Sequence, residues 1–328
     1  MGDPSKARGS APGPRWGLEA PTGFQGGSAP WPSFDSATKT PGSMKRWLRH
    51  RWAPELVLIV ATAVWGGAFL VTHVAMERVP ALPFLALRFT VAAVAVRLLT
   101  GARLNRITPA ELGGGAAISV AMLAGYALQA VALGSLGSGR VAFICALYVP
   151  IVPLLQTALT RRLPRPMTWL SVGLAAAGMM LMAGGGDGGF GRGEAFALGA
   201  AFGVAAEILL MARFAPRVDP RRLAVVECAC MAALALGVAW AVGQRLPPVE
   251  PLWLACAVGL GAASALLQVS VNWAMGSVPA TRATLIYATE PVWAAGFGAM
   301  AGERMGTSAV FGAGLILAAL LVNRPGTK

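Results

Sequence analysis

From Pro54 to Val322 the chain is a succession of apolar runs, each about as long as a helix must be to cross a hydrocarbon core. Short breaks separate the runs. Approximate spans are 54–75, 82–99, 112–133, 141–160, 168–184, 194–212, 223–243, 252–275, 283–301 and 307–323. Hydrophobic residues make up 56% of the chain and charged residues 12%, which is about half the charge share of a soluble domain. The expected fold is an all-α membrane protein with about ten transmembrane helices.

The net charge of +13 does not point to nucleic acid, because the basic residues lie between apolar runs and form no basic face. They mark orientation instead. One set of ends carries Lys45, Arg46, Arg49 and Arg51, then Arg97, Arg103 and Arg106, then Arg161, Arg162 and Arg165. It continues with Arg213, Arg217, Arg221, Arg222, Arg282, Arg324 and Lys328, whereas the opposite ends carry only Arg78, Arg140, Arg192, Arg245 and Arg304. Both termini are therefore expected in the cytoplasm, with the chain multi-pass in the cell (plasma or inner) membrane.

Residues 1–52 divide into a Gly-, Pro- and Ser-rich stretch without apolar periodicity, expected to be disordered, and a basic flank. Met44 opens that flank, MKRWLRHRW, and is expected to be the natural start; a disordered cytoplasmic tail is the alternative. Residues 185–193, within GGGDGGFGRG, read as a flexible extracytoplasmic linker. Cys145, Cys228, Cys230 and Cys256 lie inside apolar runs without zinc-site spacing. His50 and His73 are the only histidines, and HExxH, P-loop and GxSxG motifs are absent. No cofactor, no metal and no enzymatic activity is expected.

The run from Ala283 to Ala301 carries Glu290 in its middle, directly before Pro291. A carboxylate at that depth is costly and survives mainly where it faces a cavity or a partner. Proline there removes a backbone donor and loosens the helix. The pair fits a transport site, with a static kink as the plainer alternative.

The linker separates two halves that resemble each other. Gly125-Tyr126 through Gly134-Ser135 and Arg140 lie over Leu267-Gln268 through Gly276-Ser277 and Arg282 without a gap. The same register sets Tyr148 opposite Glu290 and Arg162 opposite Arg304. Looser matches set Arg88 opposite Glu227, and Trp65-Gly66 opposite Phe202-Gly203, which puts Leu70 opposite Glu207. An odd number of helices per half, about five, would invert the second copy, and inverted repeats place a substrate site near the midplane at their interface. The expected organisation is thus a first repeat at 53–184, the linker, a second repeat at 194–323 and a cytoplasmic tail at 324–328.

With these pieces in view the chain resembles the EamA-type branch of the drug/metabolite transporter superfamily. The resemblance rests on AVWGGAFL (Ala63–Leu70), LALRFT (Leu85–Thr90), GYALQAVALGS (Gly125–Ser135) and ALYVPIVPLL (Ala146–Leu155). In the second half it rests on ATLIYATEPVWAAGFGAMAGERMG (Ala283–Gly306) and FGAGLILAALLV (Phe311–Val322). It implies ten helices in two inverted repeats, and export or exchange of small metabolites, amino acids or drug-like compounds. The first half departs from the usual pattern, with Tyr148-Val149 in place of Glu-Pro and Arg161-Arg162 in place of Gly-Glu-Arg. Only the second half offers that membrane glutamate.

The candidate site follows. Glu290 would take a proton or hold a substrate amine. Glu207 is a second candidate for proton coupling, with pairing to Arg213 as its alternative. Glu227, nearer a membrane end, is expected at the interface. Arg88 would hold a substrate carboxylate or clamp helix-end carbonyls. Tyr126, Gln129, Tyr148, Gln268 and Asn272 offer uncharged hydrogen-bonding groups, with the alternative that they fasten helices together. Trp65, Trp273 and Trp293 would stack on an organic cation; Trp65 and Trp293 look too deep for an interfacial belt. Pro150 and Pro291 mark helix breaks. The Gly199-x-x-x-Gly203 pair allows close helix approach. The expected function is a secondary carrier working by alternating access, with a scaffold or sensor, or an intramembrane enzyme, as competitors. Expected partners are a small-molecule substrate, the lipid bilayer and protons, with no nucleic acid; monomer and homodimer are both open.

Overall fold

A computed structural model describes residues 44–322 other than 77, 134, 136–140, 142–143, 162, 183–190, 246–247, 249 and 301–306. The N-terminal stretch before Met44, most of the glycine-rich linker, Arg140, Arg162, Arg304 and the tail from 324 lie outside the described residues. Among the described residues the chain is helical with no strand. The first half contains α1 (Met44–Met76), α2 (Ala81–Thr100), α3 (Pro109–Leu133), α4 (Tyr148–Thr160) and α5 (Pro166–Met182). The second contains α6 (Arg192–Phe214), α7 (Pro220–Ala241), α8 (Pro251–Met275), α9 (Ala280–Tyr287), α10 (Glu290–Met300) and α11 (Thr307–Val322).

Five stretches are long and apolar enough to span a bilayer: Ala81–Thr100, Pro109–Ala132, Arg192–Arg217, Pro220–Ala241 and Pro251–Met275. Shorter apolar stretches lie at Trp52–Ala68, Tyr148–Thr160, Pro166–Leu181 and Val310–Val322. The chain is a multi-pass membrane protein. α1 begins at Met44 and runs through the basic flank and Pro54, where the sequence suggests a start near Pro54.

Helix ends follow local chemistry. Thr108 and Glu111 form a reciprocal cap at the start of α3: Thr108 N–H donates to Glu111 Oε2 at 2.7 Å, and Glu111 N–H to Thr108 Oγ1 at 3.3 Å. Asp219 caps α7 by accepting from the backbone N–H groups of Arg221 and Arg222, and Pro220 fills the first helical position. Gly101, at φ 61°, ends α2 in the left-handed conformation.

The packing respects the two halves. α2 lies against α7 and α5 against α11, so equivalent helices meet. Three further sets of contacts come in exchanged pairs: α3 on α6 answers α8 on α1, α3 on α7 answers α8 on α2, and α4 on α6 answers α10 on α1. The same helix pairs meet when the two halves are exchanged. Close approach depends on small residues, because lipid supplies no hydrophobic drive between helices. A Cβ at Gly203 on α6 would come within 2.7 Å of the Gly125 nitrogen on α3. Gly199 meets only the Leu128 side chain.

A buried ion pair ties α9 to α1 and α11. Arg282 on α9 donates through Nε and Nη2 to Glu55 Oε1 and Oε2 of α1, at 3.2 and 3.0 Å. Its Nη1 reaches the Leu320 carbonyl of α11 at 2.6 Å. A residue that reads in the sequence as an orientation marker is also a structural clamp.

Candidate functional site

The site is built around two helix breaks at matched positions. In the second half the chain turns at Ala288-Thr289 between α9 and α10, so Glu290 opens α10. In the first half it turns at Ala146-Leu147, so Tyr148 opens α4. Thr289 N–H donates to Ile286 O at 3.0 Å, and Leu147 N–H to Ile144 O at 3.1 Å. These are the same tight bonds in the same register. Pro291 has no N–H to return to Tyr287 O, which leaves the second break without its regular bond. Pro150 sits within the first turn of α4. Thr289 is anchored from α1, its hydroxyl 3.2 Å from that of Thr62.

Aromatic and charged groups gather about these breaks. The chain has only three tyrosines, and all belong to this region. Tyr287, on the last turn of α9, meets Trp65 of α1 edge to face at 5.3 Å between ring centres. Glu207, Glu227 and Glu290 lie within electrostatic range of Tyr287. Glu290 lies within range of Tyr148 as well, and Arg88, Glu207 and Glu290 within range of Tyr126. Tyr126 also lies 6.5 Å from the Phe89 ring. These tyrosines and charged residues sit on α2, α3, α4, α6, α7, α9 and α10.

Glu227, early in α7, is packed inside the bundle and 1% exposed. Two amides of α8 hold it: Gln268 Nε2 donates to Glu227 Oε2 at 2.8 Å and Asn272 Nδ2 to the same oxygen at 2.6 Å. Gln268 and Asn272 are one helical turn apart, so both reach α7 from one face. Glu227 Oε1 and Asn272 Oδ1 are buried without a hydrogen-bond partner among the described residues. On α2, Arg88 is buried; it donates from Nε to Ser264 Oγ of α8 at 3.0 Å, and its guanidinium lies 5.5 Å from the Phe89 ring centre.

Glu207 and Glu290 differ from Glu227. Each is half-buried and makes no hydrogen bond or ion pair to a described residue. Glu207 and Arg213 are not joined. Gln129 is half-buried on α3. Trp293 stands apart, 38% exposed, with Phe297 in an apolar groove of about 280 Å³ between α1 and α10. Trp273 is also exposed, on α8. Tyr287 and Glu227 are not among the site residues that the sequence suggests. Tyr287 has a signal: it lies three residues before Glu290.

Comparison with known proteins agrees with this architecture. A solved crystal structure 21% identical to the chain superposes with a TM-score of 0.69, covering 82% of this chain and 97% of its own. At that identity the likeness speaks for the fold alone. No curated protein matches the sequence. The EamA-like transporter family matches twice, over residues 52–184 and 191–324, once for each half. The chain therefore belongs to the EamA-like transporter family, within the drug/metabolite transporter superfamily.

Proposed function

We propose that this protein is a secondary-active carrier for a small polar or amphipathic metabolite, an amino acid or a drug-like compound, working by alternating access. In this reading it crosses the cell membrane ten times as two inverted five-helix repeats with both termini in the cytoplasm. The observation that carries the proposal is the pair of matched helix breaks, with Tyr148 and Glu290 opening the helices that follow them and Tyr287 packed on Trp65 beside the second. Intramembrane ionisable groups at a repeat interface are the usual materials of a substrate and coupling site.

Roles divide by environment. Glu290 and Glu207, half-buried and without partners among the described residues, are the groups free to bind a proton or a substrate ammonium. Glu227 is already held by two amides, so it fixes α7 to α8 and sets the local field. Arg88 offers a countercharge for a substrate carboxylate, and Trp65 with Tyr287 a face for an apolar or cationic moiety. The matched breaks supply the points at which one half can rock against the other.

Counterflow in proteoliposomes, run against a panel of labelled amino acids and cationic drugs, tests the reading. At least one compound is expected to enter faster than in empty liposomes; equal rates for every compound would overturn it.

A further inference from the structure

At the arginine-rich end of the bundle, remote in sequence from the helix breaks, α2 and α7 leave a polar cavity of about 180 Å³. Its wall runs from Thr100 and Gly101, at the end of α2, through Arg103 and Arg106 to Asp219, Arg221 and Arg222 at the start of α7. Orientation in a membrane counts arginines at one end; it does not require four of them around one hollow.

The acidic groups close by are already engaged. Glu111, buried, accepts from Arg222 Nε at 2.7 Å, Thr108 N at 2.7 Å and Asp219 N at 3.2 Å. Asp219 Oδ1 caps α7 by accepting from two backbone N–H groups. Arg222 is therefore neutralised, whereas the guanidinium groups of Arg103, Arg106 and Arg221 have no partner among the described residues. These three exposed arginines outnumber the one unpaired carboxylate on the wall, that of Asp219, so the hollow keeps a net positive charge. Apolar surface adjoins the cavity: Leu98 and Leu99 precede Thr100 on α2 and Leu104 lies between Arg103 and Arg106, each at least half exposed.

We infer that this cavity is a phosphate site for the headgroup of an anionic phospholipid. Arg103, Arg106 and Arg221 supply charge-assisted donors to the phosphate oxygens, and Leu98, Leu99 and Leu104 lie against the acyl chains. The shared chemistry is a phosphate; the adjacent leucines favour the lipid as its source. A bound lipid there would bridge a loop of the first half to the start of α7 in the second.

The test uses the purified full chain in detergent, following thermal unfolding as phosphatidylglycerol, phosphatidylcholine or inorganic phosphate is added. Phosphatidylglycerol is expected to raise the unfolding temperature where the other two do not. Arg103→Gln/Arg106→Gln should raise the phosphatidylglycerol concentration for half-maximal protection about 25-fold, on a basis of about fivefold for each arginine. Arg221→Gln alone should raise it about fivefold. Arg161→Gln/Arg165→Gln, which removes two exposed arginines outside the cavity, should leave it unchanged. Equal weakening by the two double variants would reduce the effect to diffuse charge and overturn the site. Protection by inorganic phosphate equal to that by phosphatidylglycerol would overturn the lipid as its occupant, and equal protection by phosphatidylcholine would overturn the need for an anionic headgroup.

Discussion

Asn272 Nδ2 donates to Glu227 Oε2 across 2.6 Å, joining α8 to α7 through a carboxylate that is almost wholly buried. Gln268 reaches the same oxygen. Glu227→Gln keeps the shape and can still hydrogen-bond, so it should cost less than about 1 kcal/mol of stability. Glu227→Ala strands two buried amide donors and should cost about 2 kcal/mol or more. Thermal unfolding in detergent separates the cases; equal losses for the two variants would deny Glu227 its role as an acceptor.

The Arg282–Glu55 pair supports a second expectation. Removing one partner of a buried ion pair leaves the other charge uncompensated, which costs about 3–5 kcal/mol. Arg282→Met alone should therefore destabilise strongly, and Glu55→Leu/Arg282→Met should recover most of the loss. A double variant no more stable than the single one would contradict this.

Gly203 should not tolerate a methyl group. A Cβ there meets the Gly125 backbone nitrogen at 2.7 Å, and backbone cannot yield as a side-chain tip can. Gly203→Ala should lower the yield of monodisperse protein sharply. Gly237→Ala, with nothing within 4 Å, should not. Similar yields from the two would show that α3 and α6 do not need this close crossing.

Orientation can be read chemically. With both termini in the cytoplasm, a cysteine at Gly188 in the linker should react with an impermeant reagent in intact cells. Reaction only after permeabilisation would invert the arrangement deduced from the arginines.

Much of the fold is legible in the sequence, because it depends on local pattern. The register that sets Tyr148 opposite Glu290 also locates the two breaks, since both residues open a helix after a turn. Glycine spacing likewise announces the crossing at Gly203. The hold on Glu227 escapes a sequence reading for a physical reason: its two amides are supplied by α8, a different helix, and position along α7 does not reveal them. Tyr287 is hidden in an apolar run, where only the turn at Ala288-Thr289 gives it a distinct setting. Trp293 shares a helix with Glu290, yet the packing of α10 on α1 leaves it in the outer groove. The gathering of Arg103, Arg106, Arg221 and Arg222 about one cavity depends on α2 meeting α7, so a count of arginines along the chain does not show it.

The most direct measurement for the central proposal is counterflow by Glu290→Gln beside the wild type, with one substrate at acid and alkaline pH. The variant preserves shape and removes the charge of a half-buried carboxylate that has no partner among the described residues. Protonation would relieve the desolvation of that group as the site closes. The expected result is normal expression, with pH-dependent transport, or transport of cationic compounds, reduced at least about tenfold. A variant with unaltered pH dependence and unaltered substrate affinity would return Glu290 to a structural kink and contradict the proposed site.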